Sequence, residues 1–143
     1  MIMLRNNLFK EFLVIFFVVG IVNYMAVQNF WYWTFKDLDS AVHFLGGSFV
    51  SLGFLWLYFY SEFFDPKARK FPNFFWVYFW GVILVSVLWE AYELMIGATG
   101  VSIQQYPVDT TLDLIMDMLG GFASCLYAYS VELKDESRKL LSI

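Results

Sequence analysis

Residues 109–121 of the chain read DTTLDLIMDMLGG, and this stretch decides how the rest of the sequence is interpreted. Three aspartates recur at every fourth residue, and two glycines follow them. In an α-helix this spacing places all three carboxylates on one face, about 6 Å apart along the axis. No further charged residue occurs before Glu132. The stretch therefore predicts a membrane-spanning helix that carries acidic side chains into the bilayer, where ionisable groups indicate a functional site.

The composition of the whole chain is that of an integral membrane protein. Hydrophobic residues make up 60% and aromatic residues 22% of its 143 residues, and the mean hydropathy is +0.61. No group of basic residues is dense enough to indicate a nucleic-acid partner. Membrane lipids are the expected surroundings, and the net charge of −4 therefore indicates little about soluble partners.

Four apolar stretches are each long enough to cross about 30 Å of hydrocarbon. They cover residues 8–27, 41–63, 74–96 and 110–131. The first is longer than the apolar part of a signal peptide and lacks a cleavage site of small residues, so we expect it to be retained. The sequence thus predicts an all-α bundle of four transmembrane helices forming one membrane domain, residues 1–143, that ends in a short charged tail.

The basic residues are distributed unevenly between the two sides of the predicted membrane. Of the nine, all except Lys36 lie before or at the start of the first span, between the second and third spans, or after the fourth. The positive-inside rule then places both termini in the cytoplasm. The loops at residues 28–40 and 97–109 are expected to face outward, on the extracytoplasmic side.

The polar residues of the spans gather at the outward end of the predicted bundle. They are Asp39 and His43 on the second helix, Glu90 and Glu93 on the third, and Asp109, Asp113 and Asp117 on the fourth. Spacings of three or four residues place the members of each set on one helix face. Three helices could therefore direct carboxylates and one imidazole at one another in the core of the bundle.

A weak internal repeat links the second and fourth helices. Residues 39–47 and 113–121 both fit the pattern D-x-x-x-[HD]-x-L-G-G, and both run inward from the outward end. Such helices could be related by an axis along the membrane normal. The glycine pairs would then let their backbones approach closely. The alternative is a chance similarity between two apolar segments.

Six carboxylates and one imidazole cannot all remain charged in a medium of low dielectric constant. Two carboxylates about 4 Å apart repel each other by about 4 kcal/mol at an effective dielectric constant of about 20. No arginine lies in a predicted span, so the cluster requires either bound protons or a divalent cation. One imidazole among many oxygens suits Mg²⁺, Mn²⁺ or Ca²⁺ and tolerates Zn²⁺.

The expected metal ligands are Asp39, His43, Glu93, Asp109 and Asp113, with Glu90 or Asp117 as the general base. A cation with an open position could activate water against a lipid or lipid-linked substrate at the outer leaflet. Purely structural roles are the alternatives. His43 would then be a hydrogen-bonded packing residue, Asp109 would cap the fourth helix, and Glu90 and Glu93 would reach outward to the surface.

The sequence leaves two other functional classes open. A cation or proton transporter needs polar groups that continue to the inner face, and the spans offer few, among them Ser48, Ser51, Ser124 and Ser130. An oligomer could complete such a pore. An accessory subunit of a membrane complex would use the acidic residues for buried contacts to its partner.

The order and spacing of the motifs resemble those of the YjdF-like family of bacterial inner-membrane proteins. The resemblance rests on Asp39-x-x-x-His43-Phe, Glu90-x-x-Glu93, and Asp109-Thr-x-x-Asp113 ahead of Leu119-Gly120. It covers about residues 39–121, and this chain corresponds to a four-helix core of longer members. Asp117 lies outside the shared pattern. The resemblance implies a multi-pass inner-membrane protein in which the six matching acidic and histidine residues belong together, and it implies no particular chemistry.

Overall fold

The fold is known from a computed structural model, which describes residues 2–35, 37–65, 68–97, 102 and 104–141. The helices are α1 (Ile2–Gln28), α2 (Trp31–Thr34), α3 (Leu38–Tyr60), α4 (Phe71–Ile96) and α5 (Tyr106–Leu141). No strand occurs in this part of the chain. All helices except α2 are long and apolar enough to cross a membrane. The prediction of an all-α membrane protein with four spans is confirmed.

The helices begin earlier than the apolar stretches that predicted them. Pro72 and Pro107 lie in the first turns of α4 and α5. Proline is tolerated there because the first amide groups of a helix have no partner within the helix. Both helices therefore begin three or four residues before the apolar stretches at 74–96 and 110–131. At the other end of α4, Gly97 adopts a left-handed conformation with φ of 69° and closes the helix.

α3 and α5 form the central pair of the bundle, with α4 packed against both of them and α1 mainly against α3. Both helices of the pair run in the same direction, since His43 meets Asp117 near their starts and Tyr60 meets Glu132 further along. We call the end at which α3 and α5 begin the acidic end, and the opposite end the basic end.

Glycines allow the backbones of α3 and α5 to touch. A Cβ atom added at Gly47 would overlap the backbone of Asp117, and one added at Gly120 would overlap the carbonyl group of Phe44. The hydroxyl of Ser48 donates to the carbonyl of Gly120 at 3.1 Å. The two copies of the sequence repeat thus lie against each other, and the close approach expected from their glycine pairs is present.

The basic end contains a buried ion pair that was not anticipated from the sequence. Glu132 is only 2% exposed, and its carboxylate accepts a hydrogen bond from Tyr60 and lies 3.2 Å from the guanidinium of Arg69. Arg69 also donates to the carbonyl of Phe59 and stacks on the ring of Tyr60. The C-terminal segment that begins at Glu132, expected to be a short charged tail, continues α5 as far as Leu141, and Glu132 itself is buried.

Gly47→Ala is expected to destabilise the protein by about 1–3 kcal/mol, because the new methyl group has no space against the backbone of Asp117. Thermal unfolding in detergent measures the change. Gly20→Ala is the matched control, since nothing lies within 4 Å of the Cβ position at Gly20. Equal midpoints for the two variants would contradict a backbone contact between α3 and α5.

Arg69→Ala is expected to destabilise the protein by about 3 kcal/mol, because it leaves the carboxylate of Glu132 buried without its cation. The control is Arg138→Ala, which removes an exposed arginine from α5. The comparison uses the unfolding free energies of the two variants in the same detergent. A loss that is no larger for Arg69→Ala would show that the ion pair does not stabilise the fold.

Candidate metal centre

The acidic end brings three aspartates into contact with one buried imidazole. His43 is 7% exposed, and its Nδ1 atom lies 3.3 Å from a carboxylate oxygen of Asp117. On the other side of the ring, Nε2 lies 3.8 Å from an oxygen of Asp113 and 3.9 Å from an oxygen of Asp39. Both ring nitrogens therefore face carboxylates, an arrangement that suits a metal ligand and also a hydrogen-bonded packing residue.

Helix geometry explains how these side chains meet. Asp39 and His43 are four residues apart on α3, and Asp113 and Asp117 are four residues apart on α5, so each pair shares one face. About one turn further along, the glycine contact holds the two backbones together. Aspartate is a short side chain, and it reaches across to His43 only because the helices approach so closely.

One group of side chains has the spacing of a metal site. Asp39, His43 and Asp113 each offer one ligand atom, and these atoms lie within 4.8 Å of one another. Ligands held about 2.1 Å from a tetrahedral ion are separated by about 3.4 Å, so small side-chain rotations would complete the site. The Asp39 side chain is 43% exposed, which leaves a route by which an ion can enter.

Asp117 occupies the position of a carboxylate that orients a ligating histidine. It approaches Nδ1, which leaves Nε2 directed toward Asp39 and Asp113. In metal sites the second ring nitrogen of a histidine ligand usually donates to such a carboxylate, which fixes the tautomer and the ring orientation. From its sequence position Asp117 is a candidate base, whereas its contact with His43 depends on the packing of α3 against α5.

Glu90 of α4 lies near the cluster, within electrostatic range of Asp113. Its side chain is 6% exposed, and Oε2 accepts a hydrogen bond from the hydroxyl of Thr110 at 2.8 Å. Among the described residues, Oε1 has no hydrogen-bond partner although it is buried. A buried polar atom without a partner is destabilising. The Oε1 atom is therefore available to take up a proton or to accept a hydrogen bond from a bound ligand.

Glu93 and Asp109 lie at the edge of the cluster. A carboxylate oxygen of Glu93 accepts a hydrogen bond from the indole of Trp89 at 2.8 Å. Asp109 is half-buried in the first turn of α5 and cannot be its N-cap, because the helix already begins at Tyr106. Neither belongs to the group with metal-site spacing, although both remain within electrostatic range of Asp39.

Tyr32 of the short helix α2 also belongs to the surroundings of the site. Burial, and then the negative charges of Asp39 and Glu93, raise the pKa of Tyr32 to about 12. Its hydroxyl donates to Asn23 of α1 at 2.6 Å, which holds α2 beside the cluster. Its place beside the acidic residues could not be predicted from the sequence, because Tyr32 lies in a connection between spans and shares no spacing with them.

Within the described part of the chain, no lysine or arginine forms an ion pair with these carboxylates. Lys36, the nearest basic residue in the sequence, lies outside the described residues. His43 is thus the one described side chain that contacts the aspartates as a potential cation. The contrast with the basic end is clear, because there a buried carboxylate has its own arginine.

Comparison with known proteins identifies a family. A family model described as "Predicted membrane protein (DUF2238)" matches residues 6–134, and this is the YjdF-like family that the motifs resemble. No curated protein and no solved structure matches the chain. The match covers all four candidate membrane spans almost completely.

Asp39→Asn is expected to lower the pKa of Tyr32, because it removes a negative charge that disfavours the phenolate. The pKa should stay above the ordinary value of 10.0, since burial is the larger cause of the shift. NMR of ring-labelled tyrosine during a pH titration measures it, with Tyr32→Phe to assign the signal.

Asp37→Asn serves as the control, because Asp37 is exposed and is not among the charges that act on Tyr32. An unchanged Tyr32 titration in Asp39→Asn, or an equal change in both variants, would contradict the position of Tyr32 beside the cluster.

Proposed function

The chain belongs to the DUF2238 family of predicted membrane proteins, and we propose that the cluster at its acidic end binds a divalent metal ion. The observation that supports this most strongly is the orientation of His43. One ring nitrogen is engaged by Asp117 while the other faces Asp39 and Asp113. These two aspartates and His43 would be the ligands, and Asp117 would orient the imidazole.

Charge balance favours a divalent cation over a protonated histidine. Asp39, Asp113, Asp117 and Glu90 together carry up to four negative charges in a poorly solvated region. An imidazolium cancels one of them, whereas a divalent cation cancels two and leaves His43 neutral as a ligand. One nitrogen among several oxygens suits Mg²⁺, Mn²⁺ or Ca²⁺ and is also compatible with Zn²⁺.

A hydrolytic reaction at the membrane surface is the activity that this arrangement supports best. A divalent ion with an open position lowers the barrier to deprotonation of a bound water molecule. Of the two candidate bases, Glu90 retains a buried oxygen without a partner, whereas Asp117 is engaged by His43. Glu90 would accept the proton, and the substrate would be a lipid or lipid-linked molecule. The excess of basic residues at the opposite end favours an extracytoplasmic site.

One observation favours ion or proton movement as a second candidate. Ser51 is fully buried in α3 beyond the cluster, and its hydroxyl has no partner among the described residues. Ser48 and Ser124 are also buried. These hydroxyls lie between the cluster and Tyr60, in the direction that a transported proton would take. Flux of protons or Mn²⁺ into proteoliposomes that is lost in Ser51→Ala would favour transport over hydrolysis.

His43→Ala and Asp113→Asn are expected to weaken Mn²⁺ binding by more than tenfold, because each removes a ligand. Asp117→Asn is expected to weaken it about 10–100-fold through the orientation of His43. Titration of purified, metal-free protein with Mn²⁺, followed by electron paramagnetic resonance, measures all three. Elemental analysis of protein purified without chelator should show a bound divalent metal.

Asp37→Asn provides the control, since it removes an exposed carboxylate two residues from Asp39 and should leave the affinity unchanged. Wild-type protein that binds no stoichiometric metal, together with an unchanged titration for His43→Ala, would remove the metal proposal.

A further inference from the structure

An apolar groove of about 580 Å³ lies between α4 and α5. Its walls include Phe75, Ile83, Val87, Ile115, Met118 and Phe122. Val87 is 52% exposed and Ile115 is 48% exposed, so the groove opens on the outer surface of the bundle. In a bundle that spans the membrane, this surface faces the hydrocarbon of the lipids.

The groove has the length of one lipid leaflet. Along α4 it extends from Phe75 to Val87, which corresponds to about 18 Å at the rise of an α-helix. One leaflet contributes about 15 Å of hydrocarbon to a bilayer. The groove therefore matches a single acyl chain that lies along the protein from one membrane surface toward the middle.

The end of the groove toward the acidic end lies about one helical turn from Glu90. Ser86 and Thr111 line it toward the acidic end. Ser86 precedes Glu90 by one helical turn on the same face of α4. Thr111 follows Thr110, whose hydroxyl bonds to Glu90. A ligand in the groove thus has its polar end within about one turn, or about 6 Å, of the carboxylate that keeps an unpartnered oxygen.

We infer that this groove holds an acyl chain of a phosphate-bearing lipid, whose phosphate reaches the ion at His43. The inference rests on the proposed function, because a phosphate would be repelled by the carboxylates unless a cation lay between them. Divalent ions held by a few carboxylates commonly complete their coordination with phosphate oxygens. The headgroup is therefore the part of the lipid that would react at the ion. The lipid would enter from the bilayer through the groove between α4 and α5.

A second cleft, between α1, α3 and α5, does not fit such a ligand. It is lined in part by Glu11, Ser48, Ser124 and Tyr127, and the hydroxyl of Tyr127 bonds to the carboxylate of Glu11. Polar groups occur at several levels of this cleft, and the buried Oε2 atom of Glu11 has no partner among the described residues. An acyl chain there would lie against polar atoms with which it cannot form hydrogen bonds. The groove between α4 and α5 is therefore the one we assign to the lipid.

Photolabelling in nanodiscs tests the inference. The full-length protein is reconstituted with phosphatidic acid that carries a diazirine in the middle of one acyl chain, with and without Mn²⁺. Mass spectrometry then maps the labelled residues. We expect labelling of Ile83, Ile115 and Met118 to exceed that of the exposed α1 residue Val14 several-fold, and to increase when Mn²⁺ is added.

Ile115→Trp is expected to abolish this enrichment by filling the groove. Leu112→Trp is the matched control, because Leu112 is a similarly exposed residue of α5 that does not line the groove. Binding of Mn²⁺ is measured in the same nanodiscs and should be retained in both variants. Because coupling between two ligands is reciprocal, Ile115→Trp should weaken Mn²⁺ binding only to the affinity measured in nanodiscs without phosphatidic acid, and Leu112→Trp should leave it unchanged. Labelling that is as strong on α1 as in the groove would overturn the inference while Mn²⁺ binding still supported the metal site.

Two further results separate the inference from the proposed function. Enriched labelling that is insensitive to Mn²⁺ and to His43→Ala would overturn the link between groove and ion. Wild-type nanodiscs that bind no Mn²⁺ would overturn the metal site itself, and with it the phosphate contact.

Discussion

The contact between the backbones of α3 and α5 is the constraint on which the rest of the structure depends. Gly47 and Gly120 lie where any side chain would collide with the opposite helix. Because the helices run in the same direction, their acidic residues lie at the same level. Only at this short separation can aspartates on α5 contact an imidazole on α3. The glycines and the polar cluster are thus parts of one arrangement.

Both ends of the bundle bury carboxylates, but the groups that surround these carboxylates differ between the two ends. At the basic end, a buried carboxylate is satisfied by Arg69 and by the hydroxyl of Tyr60. At the acidic end, several carboxylates surround His43, and one oxygen of Glu90 has no described partner. Ionisable groups inside a membrane are too unfavourable to persist without compensation. The end without a described arginine or lysine partner is therefore where we propose that a cation binds, and where we infer that the groove between α4 and α5 admits a lipid.

Much of this architecture was predictable because it follows from local patterns. Hydropathy identified four spans, and spacings of three or four residues placed the acidic residues on common faces. The remaining features depend on contacts between residues far apart in the chain. The burial of Glu132 could not be predicted because its partner, Arg69, lies 63 positions earlier in the chain. Tyr32 approaches the cluster from the short helix α2, which is too short for its sequence to show a helical pattern of polar and apolar residues. The contact between Asp117 and His43 could not be predicted without the positions of α3 and α5 relative to each other along the bundle axis. Amino-acid composition does not determine these positions.

The central claim is that His43 coordinates a divalent ion, and the chain's composition makes this directly measurable. The protein contains one histidine. Pulsed electron paramagnetic resonance on Mn²⁺-loaded protein detects nitrogen nuclei bound to the ion, and labelling histidine with ¹⁵N assigns the signal to His43 alone. The account predicts coupling to a single imidazole nitrogen that changes from the ¹⁴N to the ¹⁵N pattern on labelling. A spectrum that shows only water and carboxylate oxygens, and that is identical with and without the label, would contradict it.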